Sequence, residues 1–350
     1  MEGKQNIAIE RGLAYIFTRQ LASGEFPSYI ARDSNCKDLH IDGTIFPTVL
    51  LGISLKEVKR NFPARQSQSM DCCLENIENY LLANQWYPNV WHYWNKSSLY
   101  FNFQPPDIDD TVCASIFLED SYPAVKENAY LFYFLGRRKG LYNTWMVPRL
   151  RNFFSYHGCI YNWRFRINPI KALKYFTSTP ASYNDADNVI QANILHYLGD
   201  CDHSKSLKTY IEQFITLDSE YRDKCYHREL FFLYAISRSL SNGVIFNDNF
   251  HKKLAYRINT FWDEEKGFYG QDILDNALAI IALSNINSAV QPKSIEKIYN
   301  AQFANGGWGN FTLYFGGYQG RKKHDYWGWS CDSLTSMYCI EALLKSEKSE

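Results

Sequence analysis

Residues 297–308 read KIYNAQFANGGW, and this stretch decides how the rest of the chain is interpreted. Ile298 precedes Gln302 by four positions, so the two side chains share one face of a helix. Gly306, four positions after the glutamine, suits the left-handed residue that ends a helix. Trp308 follows two positions later and is expected to pack back against the helix end. The stretch therefore predicts a helix, its end and a returning aromatic residue.

The same spacing recurs along the chain. Four further copies keep it with substitutions: AYIFTRQLASGEF (14–26), NYLLANQWYPNVW (79–91), RLRNFFSYHGCI (149–160) and INTFWDEEKGFY (258–269). Phe154 and Asp263 replace the glutamine in the last two of these copies, and a weak sixth copy lies near Gln213. Repeats of a fixed unit indicate a fold built from repeated helical pairs.

A second helical stretch follows each repeat unit. Apolar residues recur in these stretches at intervals of three and four, as buried helices require. They are residues 45–59, 109–120, 187–199, 228–240, 271–285 and 331–345. Six such pairs would close into a single (α/α)6 barrel whose inner helices surround a central apolar cavity. No linker rich in Pro, Gly or Ser interrupts the pattern, so the sequence predicts an all-α fold with one domain over residues 1–350.

Charge and composition exclude several classes of protein. Lys plus Arg and Asp plus Glu each number 37, and the net charge of zero argues against a nucleic-acid partner. The chain opens on a helical pattern and not on a secretory leader, and no apolar run reaches the roughly 18 residues that a membrane crossing needs. Nine scattered cysteines predict reduced thiols in a cytoplasmic protein. Aromatic residues make up 17%, which fits either a dense core or an apolar cavity.

Three acids are crowded into PPDIDDTV, residues 105–112, directly before the apolar run CASIFL. Asp107, Asp109 and Asp110 could bind a metal, cap a helix or hold a proton. A magnesium site of the DDxxD type is ruled out, because residues 111–113 are Thr, Val and Cys. An aspartate before an apolar helix is an ordinary cap. Burial among neighbouring carboxylates would instead raise the pKa of one member, so that the cluster retains a proton.

Together these motifs resemble those of class II terpene cyclases, the superfamily of the squalene-hopene cyclases. Gln-x3-Gly-x-Trp is similar to their QW repeat, DIDDT (107–111) resembles their DxDD acid motif, and FTLYFGGY (311–318) resembles an aromatic segment close to their C-terminus. The chain is about half as long as the two-domain cyclases and resembles the monodomain merosterolic acid synthase type. It departs from the family in that 302–308 alone is a near-complete QW unit, and the second domain is missing.

The resemblance implies a proton-initiated cyclisation of a linear polyprenyl substrate. Asp109 would deliver the proton to an alkene or epoxide, while Asp107 and Asp110 orient it or tie down the helix start. The expected substrate carries a polar head, either an aromatic acid or a diphosphate. No redox cofactor or metal is implied, although magnesium could help to bind a diphosphate. An apolar substrate is compatible with a peripheral membrane contact, and the oligomeric state is not predicted.

Candidate substrate-binding residues follow from the same resemblance. The aromatic candidates for the cavity wall are Trp308, Phe311, Tyr314, Phe315, Tyr326, Trp327 and Trp329. Two polar segments could hydrogen-bond the acid or take the final proton: NDADNVIQAN, with Asp185, Asp187, Asn188 and Asn193, and CYHREL, with Tyr226 and His227. Each of these residues could equally serve as core or as a helix cap. The basic run 321–323 could bind a head group or face solvent.

Three other activities are compatible with a helical barrel. Protein prenyltransferases bind zinc through Asp, Cys and His, but Cys331, Asp332 and His324 have an unconvincing spacing for such a site. A carbohydrate-active (α/α)6 enzyme would need two acids about 5–9.5 Å apart across an open cleft. A non-catalytic module could bind a prenyl chain or lipid in the same cavity without turnover.

Overall fold

The structure, a computed structural model, describes residues 2–31, 38–61, 67–86, 89–101, 103–135, 137–138, 140–147, 169–179, 181–316 and 327–347. Helices dominate the described residues. In chain order they are Glu2–Arg19 (α1), Phe46–Asn61 (α2), Ser67–Asn84 (α3), Ile108–Leu118 (α4), Asn128–Leu135 (α5), Pro169–Ser178 (α6), Asn188–Leu198 (α7), Lys205–Thr216 (α8), Glu229–Ser241 (α9), Phe250–Asn259 (α10), Ile273–Asn285 (α11), Pro292–Asn300 (α12) and Asp332–Ser346 (α13). A short 3₁₀ helix spans Pro123–Glu127.

Six of these helices form a closed inner ring. In order around the ring they are α2, α4, α7, α9, α11 and α13, and α13 packs back against α2. Outer helices cover the ring: α3 lies on α2, α5 on α4, α8 on α7, α10 on α9, α12 on α11 and α1 on α13. The arrangement confirms the predicted (α/α)6 barrel, and each predicted second stretch overlaps one inner helix.

Burial explains which helices lie inside. Helix α11 is buried at every position from Leu274 to Leu283, and α13 is buried almost throughout. The outer helix α8 instead buries Leu207, Ile211, Phe214 and Ile215, a single stripe at helical spacing. A helix that is apolar on all sides must be enclosed, whereas a one-sided helix can cover it and face water.

A residue in the left-handed region follows each outer helix of the barrel. These residues are Gly24, Asn89, Gly140, Asp218, Gly267 and Gly306. A Cβ atom on Gly24 would lie 2.1 Å from the Asn76 carbonyl oxygen, and one on Gly306 would lie 2.5 Å from that of Arg11. Glycine is therefore required at these two turns both by backbone conformation and by the close approach of the neighbouring outer helix.

The repeated glutamine joins neighbouring outer helices. Gln302 Nε2 donates to the Gly306 carbonyl at 2.9 Å and to the Ala8 carbonyl of α1 at 2.8 Å. Gln20 Nε2 makes the equivalent bonds at 3.1 Å each, to Gly24 and to Cys73 of α3. Each of these two glutamines thus bonds a carbonyl group of its own turn and a carbonyl group of the next outer helix. Gln302 in this way joins α12, the last outer helix in the chain, to α1, the first.

The repeated aromatic residue joins an outer helix to the following inner helix. The Trp308 backbone N–H donates to Ser336 Oγ of α13 at 3.2 Å, and its indole N–H to the Ile298 carbonyl of α12 at 2.6 Å. Trp91 repeats this pattern, with bonds to Thr111 Oγ1 of α4 at 3.1 Å and to the Leu81 carbonyl of α3 at 2.8 Å. The repeat is therefore a device for packing helices.

A repeat unit that the sequence does not predict follows the outer helix α5. Residues 149–160 lie outside the described part of the chain, but Gly140 has a φ of 87° and Tyr142 follows two positions later. The Tyr142 backbone N–H donates to Gln191 Oε1 of the inner helix α7 at 2.9 Å, as the other returning aromatics do with their own inner helices. The prediction missed this unit because glycine, not glutamine, stands at position 136.

Strands add a small sheet beside the barrel. Its members are Ser28–Ala31 (β1), Leu39–Asp42 (β2), Thr312–Phe315 (β7) and Gly328–Ser330 (β8), in the antiparallel order β2-β1-β8-β7. Two short ribbons pair Arg137–Arg138 (β3) with Leu141–Tyr142 (β4) and Trp262–Asp263 (β5) with Phe268–Tyr269 (β6). None of the described helices is both long and apolar enough for a transmembrane segment.

Candidate active site

The acid cluster lies where the inner helix α4 begins. Asp107 is the N-cap: its backbone is extended, and its carboxylate accepts the Asp110 backbone N–H at 2.8 Å. Gln104 Nε2 donates to the other carboxylate oxygen of Asp107 at 3.2 Å. The capping interpretation therefore applies to Asp107, and the cap leaves the carboxyl group of Asp109 for other contacts.

Two neighbouring inner helices bring hydrogen-bond donors to Asp109. Asn193, on α7, donates from Nδ2 to Asp109 Oδ1 at 2.9 Å, and the Tyr226 hydroxyl, just before α9, donates to Oδ2. Cys113 Sγ lies one turn along α4, 4.0 Å from Asp109 Oδ1. Asp109 is 4% exposed, so its carboxyl group is held inside the barrel by side chains from three helical units.

Burial shifts the whole cluster toward the protonated form. Desolvation raises the pKa of Asp109 to about 7; the Tyr226 hydrogen bond opposes this rise and the charge of Asp107 adds to it. Desolvation likewise raises the pKa of Asp107 to about 6. Burial raises the pKa of Asp110, which is 2% exposed, well above its usual range. The negative charge of Asp107 is the second cause of this rise. Because the acids interact, they share protons as a group, and the group retains at least one near neutral pH.

Aromatic rings surround the Tyr226 side of the acid. The Tyr226 ring stacks on Phe231 at a centroid distance of 5.5 Å and meets Phe46 and Tyr314 at 6.1 Å each. Tyr314 also stacks on Trp329 at 5.8 Å. We call Phe46, Tyr93, Tyr226, Tyr314 and Trp329 the aromatic cluster; Tyr93 joins it through a 2.9 Å bond between its hydroxyl and that of Tyr314. Two predicted wall residues, Tyr314 and Trp329, belong to it.

Other predicted wall residues lie elsewhere. Phe315 and His227 stack on each other at 4.3 Å. Since successive residues of a strand point to opposite faces, this pair lies on the face of β7 away from Tyr314. Burial lowers the pKa of His227, which favours the neutral form of its ring. Phe311 and Trp327 are partly buried against the core, and Tyr326 lies outside the described residues.

Trp308 requires a correction. The sequence makes it a candidate for the cavity wall, with the core as the alternative, and its ring packs between outer and inner helices. A Cβ atom on Gly12 of α1 would lie 2.8 Å from the indole of Trp308. Its two N–H groups are committed to α12 and α13, as described above. Trp308 is a structural residue of the repeat, because the returning aromatic must reach back to the helix that precedes it.

Asp187 and Asn188 do not touch Asp109. Asp187 accepts from Thr144 Oγ1 at 2.7 Å and from the Lys224 backbone N–H at 3.2 Å. Asn188 donates from Nδ2 to the Arg222 carbonyl at 3.1 Å. Both therefore brace the loop that carries Tyr226. Of the polar candidates, Asn193 and Tyr226 are the two that reach the acid.

Metal ligation finds no support in the described residues. They contain no group of three or more His, Cys, Asp or Glu side chains able to hold a metal ion. His324, required by the zinc alternative, lies outside them. Asp332 is engaged by the Tyr15 hydroxyl at 2.7 Å and by Arg19 at 3.2 Å, which ties α13 to α1.

Comparison with known proteins gives a clear result at the level of fold. No family model matches the sequence, and no curated protein does either. Among solved structures, the type II terpene cyclase MstE from Scytonema matches with a TM-score of 0.69 and 12% identity, covering 99% of this chain and 100% of MstE. The chain has the fold of MstE. A protein from Actinoplanes matches with a TM-score of 0.70 and 13% identity, over 98% of this chain and 99% of that protein.

Complexes of MstE have been solved with its substrate and with its product. An aspartate-to-asparagine variant holds geranylgeranyl dihydroxybenzoate as substrate, with a TM-score of 0.70, 12% identity and coverage of 99% of this chain and 98% of that one. An aspartate-to-alanine variant holds the product merosterolic acid A. At this level of identity the likeness establishes the fold and leaves the chemistry to the residues.

Proposed function

We propose that this chain is a class II isoprenoid cyclase that protonates a linear polyprenyl substrate through Asp109. The observation that carries the proposal is a buried carboxyl group with a pKa near neutrality, hydrogen-bonded on both oxygens and placed beside a cluster of aromatic rings. A neutral carboxyl group is the proton donor that such a reaction needs near neutral pH. In this proposal residues 1–350 act as one catalytic domain.

The side chains around Asp109 fit the first step. The O–H bond of the carboxyl group breaks and its electron pair stays on the carboxylate. The proton bonds to one alkene carbon through the π electrons, which leaves a cation on the other carbon, or to an epoxide oxygen through a lone pair, after which the C–O bond breaks toward oxygen and leaves a cation on carbon. Asn193 and Tyr226 both donate to the carboxylate that is left, and hydrogen bonds to the charged form favour it. Donors fixed before the reaction need no reorganisation as the charge develops.

The aromatic cluster fits the later steps. Each ring closure moves a positive charge along the chain, and a ring face stabilises such a charge by about 0.5–2 kcal/mol when water is excluded. Aromatic carbon does this without trapping the cation as a hydroxyl or amine would. Loss of a proton then ends the sequence, so that substrate and cyclised product are isomers.

The proposed substrate is a polyprenyl chain with a polar head. MstE binds geranylgeranyl dihydroxybenzoate, which makes a prenylated aromatic acid the first candidate for this chain. A prenyl diphosphate is the second, and magnesium would then assist binding of the diphosphate without taking part in protonation. An apolar substrate of either kind would bring the protein into peripheral contact with membranes from the cytoplasmic side.

The test is to incubate the native protein and Asp109→Asn with geranylgeranyl dihydroxybenzoate and, separately, with geranylgeranyl diphosphate. Native protein should convert one of them to an isomer of equal mass, and the variant should lose activity by about 10³-fold or more. Asp120→Asn is the control, since Asp120 is exposed just after the other end of the same helix.

Each outcome has a defined meaning. If native protein converts neither compound, or if Asp109→Asn converts it equally well, the proposal is wrong. Binding without conversion would favour the lipid-binding alternative. A carbohydrate-active enzyme would need acids on opposite sides of a cleft, whereas Asp107, Asp109 and Asp110 lie within one helical turn.

A further inference from the structure

Strand β2 ends at Asp42, whose carboxyl group accepts hydrogen bonds from two tryptophan side chains. Trp329 Nε1, from β8, donates to Oδ2 at 2.8 Å. Trp94 Nε1, from the loop between α3 and α4, lies 3.2 Å from Oδ1 and 3.1 Å from Oδ2. An indole has a single N–H that points in one direction, so the shared acceptor fixes how both rings are turned.

Both rings adjoin the aromatic cluster beside the acid. Trp329 stacks on Tyr314, with an interplanar angle of 17°, and meets Tyr93 in a T-shaped arrangement at 5.6 Å. Trp94 meets Tyr93 at 5.1 Å and an angle of 79°. Tyr314 in turn contacts Tyr226. A continuous series of rings therefore runs from the bond partner of Asp109 to the two bond partners of Asp42.

The carboxyl group of Asp42 faces these rings. In the described residues the hydrogen-bond partners of its carboxyl group are the two indoles, and no lysine or arginine is paired with it. The nearby Glu25 is buried, which raises its pKa to about 7, and it accepts from Asn95 at 3.3 and 3.2 Å. Asp42 thus lies at the end of the aromatic series that is away from Asp109.

We propose that Asp42 is a positioning residue that holds Trp94 and Trp329 for the late cations of the cyclisation and so determines how many rings close. This inference rests on the function proposed above. Each closure converts one alkene π bond into one C–C σ bond and places the charge on a more distant carbon. A correctly turned ring face lowers the energy of that cation. Where the face is turned away, proton loss competes earlier and leaves a product with fewer rings.

The experiment measures ring number. Native protein, Asp42→Asn and Asp42→Leu are incubated with geranylgeranyl dihydroxybenzoate, and the isomeric products are separated and their rings counted by NMR. Asp42→Leu should raise the share of products with fewer rings by about fivefold while substrate consumption stays within about tenfold of native. The share of products with fewer rings from Asp42→Asn should lie between the shares from native protein and from Asp42→Leu, because the amide oxygen of asparagine still accepts an indole N–H. Asp38→Asn, on the exposed approach to the same strand, should give the native product ratio.

A second measurement does not depend on turnover. Trp94 and Trp329 indole N–H signals, assigned with Trp94→Phe and Trp329→Phe in ¹⁵N-labelled protein, should move in Asp42→Leu because the hydrogen bond is lost. Trp329→Phe keeps a ring but loses the N–H, and it should shift the product ratio in the same direction as Asp42→Leu.

Contrary outcomes are separable. The inference is overturned if Asp42→Leu moves the indole signals but leaves the product ratio native, or if the signals do not move. If Asp42→Leu does not fold, a native product ratio and native signals in Asp42→Asn overturn it. A native protein that converts no prenyl substrate refutes the proposed function, and the inference falls with it.

Discussion

Two inner helices of the barrel begin in the same way and end up with different chemistry. At α4, Asp107 accepts the backbone N–H of Asp110 at 2.8 Å; at α11, Asp272 accepts that of Asp275 at 3.1 Å. Each start therefore has an aspartate cap with a second aspartate three positions later. The local sequences, DIDD and DILD, specify the same turn.

The difference lies in the side chains that the fold places beside the aspartates of each helix start. At α11, Arg228 donates to Asp272 at 3.0 and 2.7 Å and to Asp275 at 2.7 Å. At α4, the described residues provide an amide, a phenol and a thiol to Asp109, and no cation. Burial raises the pKa of Asp275 too, but Arg228 opposes the rise. One helix start is an ion-paired structural joint, and the other is a group of buried carboxyl groups with raised pKa values and neutral hydrogen-bond donors.

The largest expected effect comes from removing the cation of α11. Arg228→Met should destabilise the fold by about 3–5 kcal/mol, because two largely buried carboxylates lose their partner. The measurement is the free energy of unfolding in urea at pH 7. Arg222→Met is the matched control: its pair with Glu220 is exposed to water, so the free energy of unfolding should change little. Equal losses in both variants would show that Arg228 is not the structural cation of this joint.

The opposite sign is expected when the ionisable group of α4 is removed. The pKa of Asp109 is raised in the folded protein, so its contribution to stability is present at low pH and is lost as the pH rises from about 4 to about 7. Asp109→Asn should therefore be more stable than native protein at pH 8, by about 1–4 kcal/mol, and gain little at pH 4. Asp275→Asn should gain less at pH 8 than Asp109→Asn, because Arg228 opposes the rise in the pKa of Asp275 and loses one of its two carboxylate partners. Thermal unfolding at both pH values measures the contrast, and a gain of equal size at pH 4 and pH 8 would contradict it.

Sequence patterns predict the scaffold on which this comparison depends. The stretch 271–285 contains α11, and 109–120 overlaps α4, because an apolar period of 3.6 and a repeated glutamine are local properties. The acids themselves are also visible, since they are adjacent in the chain.

The partners of those acids are harder to predict. Asn193 and Tyr226 are separated from Asp109 by 84 and 117 positions, and helical periodicity does not say which loops meet at a barrel end. The sequence narrows the candidates for these partners to two short segments but does not identify the two residues that contact Asp109. No sequence pattern marks Asp42 as a candidate, because it ends strand β2, and strands β1 and β2 are too short to be distinguished from loops by sequence. Trp308 was misplaced because the same aromatic excess serves both packing and the site.

A smaller effect is expected at the phenol that distinguishes α4 from α11. Tyr226→Phe removes a donor that lowers the pKa of Asp109, so that pKa should rise. In the proposed reaction activity requires the protonated acid, so the decline of activity at alkaline pH should move upward by about one pH unit, while the maximal rate falls by about 10–100-fold. The pH profile of kcat measures this. Tyr210→Phe is the control, because that hydroxyl bonds Asn188 and not the acid. A decline at unchanged pH would mean that Tyr226 does not set the acidity of Asp109.

The smallest effect is expected at the cap itself, with the opposite sign. Asp107→Asn keeps an acceptor for the Asp110 N–H, so helix stability should change by less than about 1 kcal/mol. It removes a negative charge that raises the pKa of Asp109, and the alkaline decline of activity should therefore move to lower pH. Because Tyr226→Phe and Asp107→Asn change the same pKa in opposite directions, the double variant should decline at an intermediate pH. A shift of both single variants in one direction would show that the cluster does not hold its proton on Asp109.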